Sequence, residues 1–400
     1  MGGDRLGGAA GCFGLGGGGV TRLEWRTAGE SHGKTLIGVV EGVPAGLALD
    51  VERIDAELVR RQGGYGRGGR MKIERDHIEV LSGWKGGVTL GSPIAFEVPN
   101  RDQTIEDLPL PASPRPGHAD LAGCQKYGHR DARAILERAS ARETAARVAA
   151  ACIARQVIEA FGVEIFAHVV ELGGVGVRED AWDAVGAGRG ERRGESDFQC
   201  LDAEVEDRMR AAVDAAKEAG DTLGGVFEIR AMGLPPGLGE YSNPSERLTA
   251  RLGGALFSIP AIKGVEVGLG FEVARRPGSE AHDAILPTSE GAWGGFTRET
   301  NRAGGLEGGM TTGGELVLRA AMKPIPTLRK SLPSVDFETR EPSLATYQRS
   351  DVTSVPAASV VGEAVVALEL TRAFLAKFGG DSMDAVRASW EAYRAAVAEV

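Results

Sequence analysis

The sequence predicts a mixed α/β protein of the α+β type that folds as one compact domain. Its 400 residues are 42% hydrophobic and 26% charged, which is typical of a globular chain that can bury a sizeable core. Strand-like and helix-like segments follow one another without regular alternation. We find no internal repeat and no clear interdomain linker, so a single domain fits best.

Strands are predicted where short runs rich in β-branched and apolar residues are bounded by turn residues. In chain order they are 22–27, 34–40, 72–80, 93–98, 163–171, 225–231, 263–267 and 314–320. The first two are joined by the tight turn Gly29-Glu30-Ser31-His32-Gly33, which presents polar side chains.

Helices are predicted where apolar residues recur every three to four positions. Asp50 can cap the first helix, which carries Ile54 and Leu58 on one buried face and ends at Gly63-Gly64. The strongest pattern covers 132–161, and further helices are predicted at 203–219, 244–256, 359–377 and 383–398. Two loops are predicted: a Pro-rich one at 107–117, and a Gly-, Arg- and Glu-rich surface loop at 184–199.

The composition excludes several functional classes. A formal net charge of −10 argues against general binding to nucleic acid or an acidic membrane, so any anion site must be local. The four cysteines, at 12, 124, 152 and 200, show no CxxC pairing, and we expect neither disulfides nor zinc, nor any other metal site.

The sequence predicts neither a membrane-spanning segment nor a signal peptide. Arg142, Arg147 and Arg155 interrupt the most apolar helical stretch, so no run reaches the roughly 20 apolar residues of a membrane span. Residues 1–21 are Gly-rich and make a poor signal peptide, and we expect a disordered leader before a domain at 22–400. The expected location is the cytoplasm.

The turn at 29–33 matches the GxSxG nucleophile elbow of serine hydrolases. An elbow needs a helix after its turn, whereas Thr35 to Val40 reads as a second strand, so a hydrolase is disfavoured. A plain hairpin turn explains the glycines but not the combination of Ser31 and His32.

A basic, glycine-rich stretch runs from the end of the first predicted helix into the following loop. Residues 60–72 contain Arg60, Arg61, Arg67, Arg70 and Lys72 without an acidic residue. Its GxGxxG spelling lacks the preceding strand of a dinucleotide site. A solvated basic loop and a site for a small, multiply charged anion are both open, since guanidinium groups pair with phosphate and carboxylate oxygens.

His118 follows a Pro-rich segment that also holds Arg115. Proline restricts this backbone, and a phosphate beside the imidazole would favour its protonated, acidic form. The histidines at 77, 129, 168 and 282 lack metal-ligand spacing and receive no role.

Three further segments carry polar or glycine-rich patterns. Arg138 to Ala145 places Ser140 and Arg142 where a helix start could bind an anion, although an exposed Arg/Glu face is the alternative. The segment 304–314 is too rich in glycine for a helix. Lys323 to Thr327 and Arg349-Ser350-Asp351 add charge, with Asp351 a candidate base.

Taken together and in this order, these segments resemble the chorismate synthase family from about Leu23 to about Asp381. The resemblance implies a single-domain β-α-β sandwich, with helices between antiparallel sheets, that assembles as a homotetramer. It implies anti-1,4-elimination of phosphate and a ring hydrogen from 5-enolpyruvylshikimate 3-phosphate, giving chorismate for aromatic amino acid biosynthesis. The implied cofactor is reduced FMN (FMNH2), with either NADPH used by this chain or an external flavin reductase as the source of electrons.

The resemblance also implies residue roles. His32 is similar to the proton donor to reduced flavin, His118 to the donor to departing phosphate, and Asp351 to the residue that helps flavin N5 take the ring proton. The implied substrate residues are Ser31, Arg61, Arg67, Arg70, Arg115, Ser140, Arg142 and Arg349. The implied flavin residues are Arg138, Ala139, Ser140, Pro260, Ala261, Gly308, Lys323, Pro324, Ile325, Pro326, Thr327 and Arg349.

Three positions depart from the family pattern. Pro260 stands where an amide side chain is usual, Leu269 where an aspartate is usual, and Pro326 where a serine is usual. Because proline has no backbone N–H, positions 260 and 326 could contact flavin only through carbonyls or apolar packing. A non-catalytic binding protein for a small polyanion is the alternative to an enzyme, but simple binding would not need His32, His118 and Asp351.

Overall fold

A computed structural model describes residues 23–67, 76–289, 293–347 and 351–399 of the chain. Two antiparallel sheets enclose a layer of helices, so the α/β (α+β type) sandwich is confirmed. The predicted leader at 1–21 lies outside the described residues, as do Arg70 and Arg349.

The elements below are numbered in chain order over these residues. The strands are β1 (Glu24–Ala28), β2 (Thr35–Glu41), β3 (Glu79–Val80), β4 (Trp84–Lys85), β5 (Val88–Thr89), β6 (Ile94–Pro99), β7 (Glu164–Leu172), β8 (Val175–Gly176), β9 (Gly225–Met232), β10 (Pro236–Gly239), β11 (Ile262–Val267), β12 (Ile285–Pro287), β13 (Phe296–Arg298), β14 (Leu306–Glu307), β15 (Met310–Thr312), β16 (Leu316–Met322), β17 (Pro333–Val335) and β18 (Pro342–Leu344). The helices are α1 (Val51–Gln62), α2 (Asp120–Tyr127), α3 (Ala132–Ala139), α4 (Thr144–Glu159), α5 (Ala181–Val185), α6 (Arg189–Glu195), α7 (Glu206–Ala219), α8 (Leu248–Phe257), α9 (Gly278–Ala281), α10 (Val355–Phe378) and α11 (Met383–Val397).

The two main sheets differ in size. The smaller has the order β1-β2-β6-β3 and the larger β11-β16-β9-β7-β8, with antiparallel pairing between all neighbours. Side chains of β6 alternate between buried and half-buried positions, as expected where one face of a sheet covers helices. The helices α1, α4, α8 and α10 fill the space between these sheets.

Helix α10 is the centre of the helical layer. It is buried on nearly every side because it packs against α4, α8 and the larger sheet. Gly362 permits the closest approach, since a Cβ at this position would lie 2.3 Å from a ring carbon of Phe227 on β9. Any larger residue at position 362 would push α10 away from the sheet.

A buried carboxylate on α10 joins several elements. Glu363 accepts hydrogen bonds from the backbone N–H of Ala167 on β7, at 2.8 Å, and from Arg193 on α6, at 2.9 Å. Its other oxygen pairs with Arg155 of α4 and, at 2.9 Å, with Arg60 of α1. Burial alone would raise the pKa of Glu363, but the three arginines outweigh it and lower the pKa to about 2.

Two sequence predictions about this layer are wrong. The single helix at 132–161 is broken, because Ser140 takes an extended conformation (φ −65°, ψ 142°) between α3 and the 3₁₀ turn Ala141–Glu143 that precedes α4. The Ser140 hydroxyl caps this turn by accepting a hydrogen bond from the Arg142 N–H, an alternative to continuing the helix. The predicted loop at 184–199 contains the end of α5 and all of α6, since Arg193 pairs with Glu363 and Arg189 stacks on Trp182.

Other boundaries shift modestly. Of the predicted strand 72–80, the described residues contain only Glu79–Val80 as β3, and 72–75 lie outside them. The glycine-rich segment 304–314 is non-helical as predicted and contains β14 and β15. Among the described residues, no helix combines the length and the apolar character required to cross a lipid bilayer.

Candidate active site

The turn at 29–33 connects two antiparallel strands. β1 pairs with β2, so the turn is followed by a strand and not by the helix that a nucleophile elbow requires. Gly29 has φ +105°, and a Cβ at this position would lie 2.3 Å from the Thr35 carbonyl oxygen, so the turn requires glycine. The hairpin holds Ser31 and His32 at the edge of the helical layer, where the Ser31 N–H donates to the Glu137 carbonyl of α3.

His32 is held by a buried carboxylate. Its ring Nδ1 lies 2.7 Å from a carboxylate oxygen of Glu137, which also accepts the His32 backbone N–H at 3.0 Å. Arg133 contacts the second oxygen of Glu137 at 3.3 Å. Burial opposes ionisation of Glu137, but the bonds from His32 and Arg133 lower its pKa below the ordinary value. On the other side of the ring, Nε2 lies 3.8 Å from Asp102.

Ser31 and Ser140 adjoin a buried arginine. The two hydroxyls are 3.2 Å apart, and Ser140 lies two residues before Arg142. The Arg142 guanidinium donates to Asn100 at 2.8 Å and to both oxygens of Asp76 at 2.6 Å. Asn100 in turn holds the carbonyls at both ends of the Ser31 turn, so turn and arginine form one unit.

Arg61, at the end of α1, is a second buried guanidinium in this unit. It donates to Thr144 at 2.9 Å and to the carbonyl of Ala141 at 2.7 Å. Burial lowers the pKa of Arg61 to about 10; Asp76 opposes this shift, while the nearby charges of Arg142 and Arg67 add to it. The buried Nη1 of Arg61 and Nη2 of Arg142 find no hydrogen-bond partner within the described ranges. Asp76 lies 3.8 Å from Arg61 Nη1 and 2.6 Å from Arg142 Nη1, so the two guanidinium groups share one carboxylate. Buried donors that lack a hydrogen-bond partner can receive an anion.

We expect Arg61→Lys to weaken binding of a phosphate-bearing ligand about 10- to 100-fold, the loss of one or two charge-assisted hydrogen bonds. The environment that lowers the pKa of Arg61 would lower that of a lysine further, so binding should also decline as pH rises from 7 to 9. Calorimetric titration with inorganic phosphate at several pH values measures both effects. Arg53→Lys is the control, because Arg53 lies exposed on the same helix and pairs with Glu159; equal losses in both variants would contradict the assignment.

The His118 loop contains a second buried carboxylate. Asp120 lies 2.6 Å from His118 Nδ1 and accepts the Nε and Nη2 groups of Arg115 at 2.8 and 3.0 Å. Arg115 also donates to the Thr327 hydroxyl at 3.0 Å. Burial would raise the pKa of Asp120, but the bonds from His118 and Arg115 hold it well below its ordinary value. The predicted substrate residue Arg115 is therefore largely engaged within the protein.

The third group lies at the start of α10. Arg67 pairs with Asp351 at 2.6 Å, and the Ser354 hydroxyl contacts both, at 3.1 and 3.0 Å. Asp351 and Thr327 line the same small pocket, which connects this group to the His118 loop. The charge of Arg67 acts on Arg61, which connects it to the first group.

An open cleft of about 570 Å³ borders the His118 loop. Residues 114–118, one side of α2 and β17 line it. This volume lies within the range of small-molecule sites, roughly 300–1,000 Å³.

The predicted flavin residues lie in separate places. Lys323 donates its backbone N–H to the carbonyl of Ala261, which has the left-handed φ of +72°. A Cβ at Gly117 would lie 3.5 Å from Lys323 Nζ and 3.7 Å from Pro326 Cβ, so the His118 loop and the 323–327 segment are in close proximity. Burial, with the neighbouring charge of Lys263, lowers the pKa of Lys323.

The predicted flavin residues Arg138, Ala139 and Gly308 lie in other parts of the fold. Arg138 donates to the carbonyls of Thr27 and Gly29 and so supports the Ser31 turn, with Ala139 next to it at the end of α3. Gly308 lies in the turn between β14 and β15, and the one described atom within 4 Å of a Cβ at that position is Tyr241 Cβ. None of the other predicted flavin residues therefore has a described atom within 4 Å of this position.

Sequence reasoning missed the carboxylates of the site. Glu137 and Asp120 were given no role, although each is adjacent to a predicted site segment, and Asp76 lies beyond the basic loop. The departure at Leu269 has a local effect: it stands at the N-cap of the 3₁₀ turn Gly270–Arg275, where its side chain accepts no hydrogen bond.

The model of the family described as chorismate synthase matches residues 23–375. The chain belongs to the chorismate synthase family. It is 52% identical to the chorismate synthase of Geobacter sulfurreducens over 388 residues (93% of this chain, 98% of the relative) and 54% identical to that of Desulforudis audaxviator over 375 residues (90% and 94%). A crystal structure of a chorismate synthase superposes with a TM-score of 0.79 at 41% identity, covering 95% of this chain and 99% of the other.

These relationships support chorismate synthase activity, and hence an enzyme of the shikimate pathway. They also agree with the sandwich of helices between antiparallel sheets. The site supplies buried cationic donors, two imidazoles with carboxylate partners and one carboxylate at an arginine.

Proposed function

We propose that the protein eliminates phosphate and a ring hydrogen, in the anti-1,4 sense, from 5-enolpyruvylshikimate 3-phosphate to give chorismate, with reduced FMN and no net redox change. Such an enzyme is a carbon–oxygen lyase acting on phosphates. The observation that carries the proposal is the pair of buried donors on Arg61 and Arg142, with Arg142 connected through Ser140 to the Ser31 hydroxyl. A substrate with one phosphate and two carboxylates requires such donors in a restricted space.

The proposed substrate site comprises Ser31, Arg61, Arg67, Arg115, Ser140 and Arg142, with Arg70 and Arg349 as members outside the described residues. Arg61 and Arg142 orient anionic oxygens through Nη1 of Arg61 and Nη2 of Arg142, which make no hydrogen bond within the described residues. Arg115 acts mainly by fixing Asp120 and Thr327. Because these groups are fixed before substrate arrives, little reorganisation is needed during the reaction.

The proton roles fall to three residues. His118 Nε2 gives a proton to the departing phosphate, and His32 Nε2 holds the proton that maintains the protonation state of the cofactor. Asp351 helps the ring proton to leave, with Arg67 and Ser354 holding its carboxylate. Acid and base roles are thereby assigned to separate groups of side chains.

The proposed site for reduced FMN lies where the His118 loop meets the segment 323–327. There Lys323, with Lys263 as its charged neighbour, would supply positive charge for an anionic group. The proposed contacts are Arg138, Ala139, Ser140, Pro260, Ala261, Gly308, Lys323 to Thr327, and Arg349, with carbonyls or apolar atoms serving at the two prolines. When bound, reduced FMN would supply transient electron density to the substrate and would be returned to its starting state, so that no net redox change results.

We further propose a cytoplasmic homotetramer that obtains reduced flavin either from an external flavin reductase or from NADPH. No nucleic acid, membrane or metal takes part in the proposed reaction.

The decisive experiment follows chorismate and phosphate release under anaerobic conditions with chemically reduced FMN, oxidised FMN or no flavin. We expect equal release of the two products with reduced FMN and none in the other two reactions. Binding of substrate without turnover would instead favour a non-catalytic polyanion-binding protein. In that case Pro260, Leu269 and Pro326 would be reverted first to the residues usual in the family.

A further inference from the structure

The two candidate acid histidines share one arrangement although they come from different parts of the chain. His32 lies in the β1–β2 turn and His118 in the loop before α2. In each case Nδ1 approaches a buried carboxylate, Glu137 at 2.7 Å or Asp120 at 2.6 Å. Each carboxylate is also bound by a buried arginine, Arg133 or Arg115.

We propose that Glu137 and Asp120 are positioning residues that hold Nδ1–H of His32 and His118, leaving Nε2 of each ring to carry the transferable proton. The inference rests on the proposed function, which identifies the reaction. The hydrogen bonds are observed independently of that function. Sequence reasoning assigned neither carboxylate a role. Each would set the tautomer of the histidine that it contacts.

The direction of the hydrogen bond at His118 follows from the charges. Arg115 Nη2 also lies 2.9 Å from Nδ1, which by itself would allow Nδ1 to accept a hydrogen bond. Asp120 stays ionised, and a carboxylate oxygen 2.6 Å from an unprotonated nitrogen would bring two lone pairs together without a proton. Nδ1 therefore donates to Asp120, while Arg115 Nη2 donates to the same oxygen at 3.0 Å.

Each carboxylate is shared between a histidine ring and an arginine, so its negative charge is partly balanced by a guanidinium group. The charged groups around His118 are Asp120, Arg115 and, across Gly117, Lys323. Those around His32 are Glu137 with its Arg133, and Asp102 near Nε2.

The pairing can be measured without substrate. In protein with ¹⁵N-labelled histidine, we expect neutral His32 and His118 to show a protonated Nδ1 and an unprotonated Nε2. Glu137→Gln and Asp120→Asn should each change that pattern for the one ring concerned. Asp131→Asn is the control, since Asp131 caps α3 on the same helix as Glu137 and accepts from the Arg133 backbone N–H.

Activity supplies the second readout. Asp120→Asn should lower kcat by about 10- to 100-fold with little change in KM, and should move the alkaline limb of the kcat–pH profile to lower pH. If Asp120 acts through His118, the double variant with His118→Ala should be no slower than His118→Ala alone. If the loss of kcat in the double variant equals the product of the losses in the two single variants, Asp120 has only a separate structural effect. In the NMR experiment, neutral rings protonated at Nε2 in the wild type would overturn the pairing. Failure of wild-type turnover would reject the proposed function and leave the NMR result standing.

Discussion

Replacing Asp351 by alanine should lower kcat by about 10²-fold or more, the usual loss when an acid–base group is removed. Asp351 accepts from Arg67 at 2.6 Å and from Ser354 at 3.0 Å, so its carboxylate has a fixed position at the start of α10. Its removal adds net positive charge to a site for a multiply anionic substrate. We therefore expect KM to stay the same or to fall, which separates a loss of chemistry from a loss of binding.

Two further variants test the origin of this effect. Asp351→Asn retains an acceptor for Arg67 and should preserve the local structure, yet it should be nearly as slow as the alanine variant because a neutral amide cannot replace the carboxylate that helps the ring proton to leave. Asp197→Asn is the control, since Asp197 pairs with Arg210 at the surface at 2.7 Å and should leave kcat unchanged. Steady-state kinetics with reduced FMN measures all three, and wild-type kcat in Asp351→Asn would remove Asp351 from the mechanism.

The sequence predicted those parts of the fold and site that depend on local pattern. The turn holding Ser31 and His32 followed from two β-rich runs around glycines, and its hairpin geometry excluded the nucleophile elbow. The cap at Asp50 and the burial of Ile54 and Leu58 followed from helical spacing. Each of these features depends on residues within about one turn of each other, where pattern and propensity operate.

The remaining features depend on long-range partners. The break at Ser140 lies within an apolar helical pattern, and the Ser31 hydroxyl lies 109 positions away in the sequence. Likewise α6 reads as a charged loop until Arg193 meets Glu363 from α10. Glu137 could not be assigned to His32 because helix spacing alone does not show which strand turn the helix will meet. Asp120 was more accessible to inference, since it lies two residues after His118.

The second large effect concerns Glu363. Glu363→Gln should lower the free energy of unfolding by about 3–5 kcal/mol, because it leaves Arg60, Arg155 and Arg193 without their shared buried counter-charge. The loss reaches the active site through α1, where Arg60 precedes Arg61. Urea unfolding followed by circular dichroism measures the change, and inorganic phosphate should bind more weakly even to the folded variant.

The pH dependence identifies the cause. Folding lowers the pKa of Glu363 from 4.5 to about 2, so its contribution to stability is complete above pH 4.5 and disappears as pH falls towards 2. The stability gap between wild type and Glu363→Gln should therefore narrow over that interval. Glu369→Gln, on the same helix, is the matched control: Glu369 pairs with Arg251 at 2.8 Å in a partly exposed setting and should cost about 0–1 kcal/mol. A gap for Glu363→Gln that stays constant from pH 6 to 3 would mean that packing, and not the buried charge, links α10 to its neighbours.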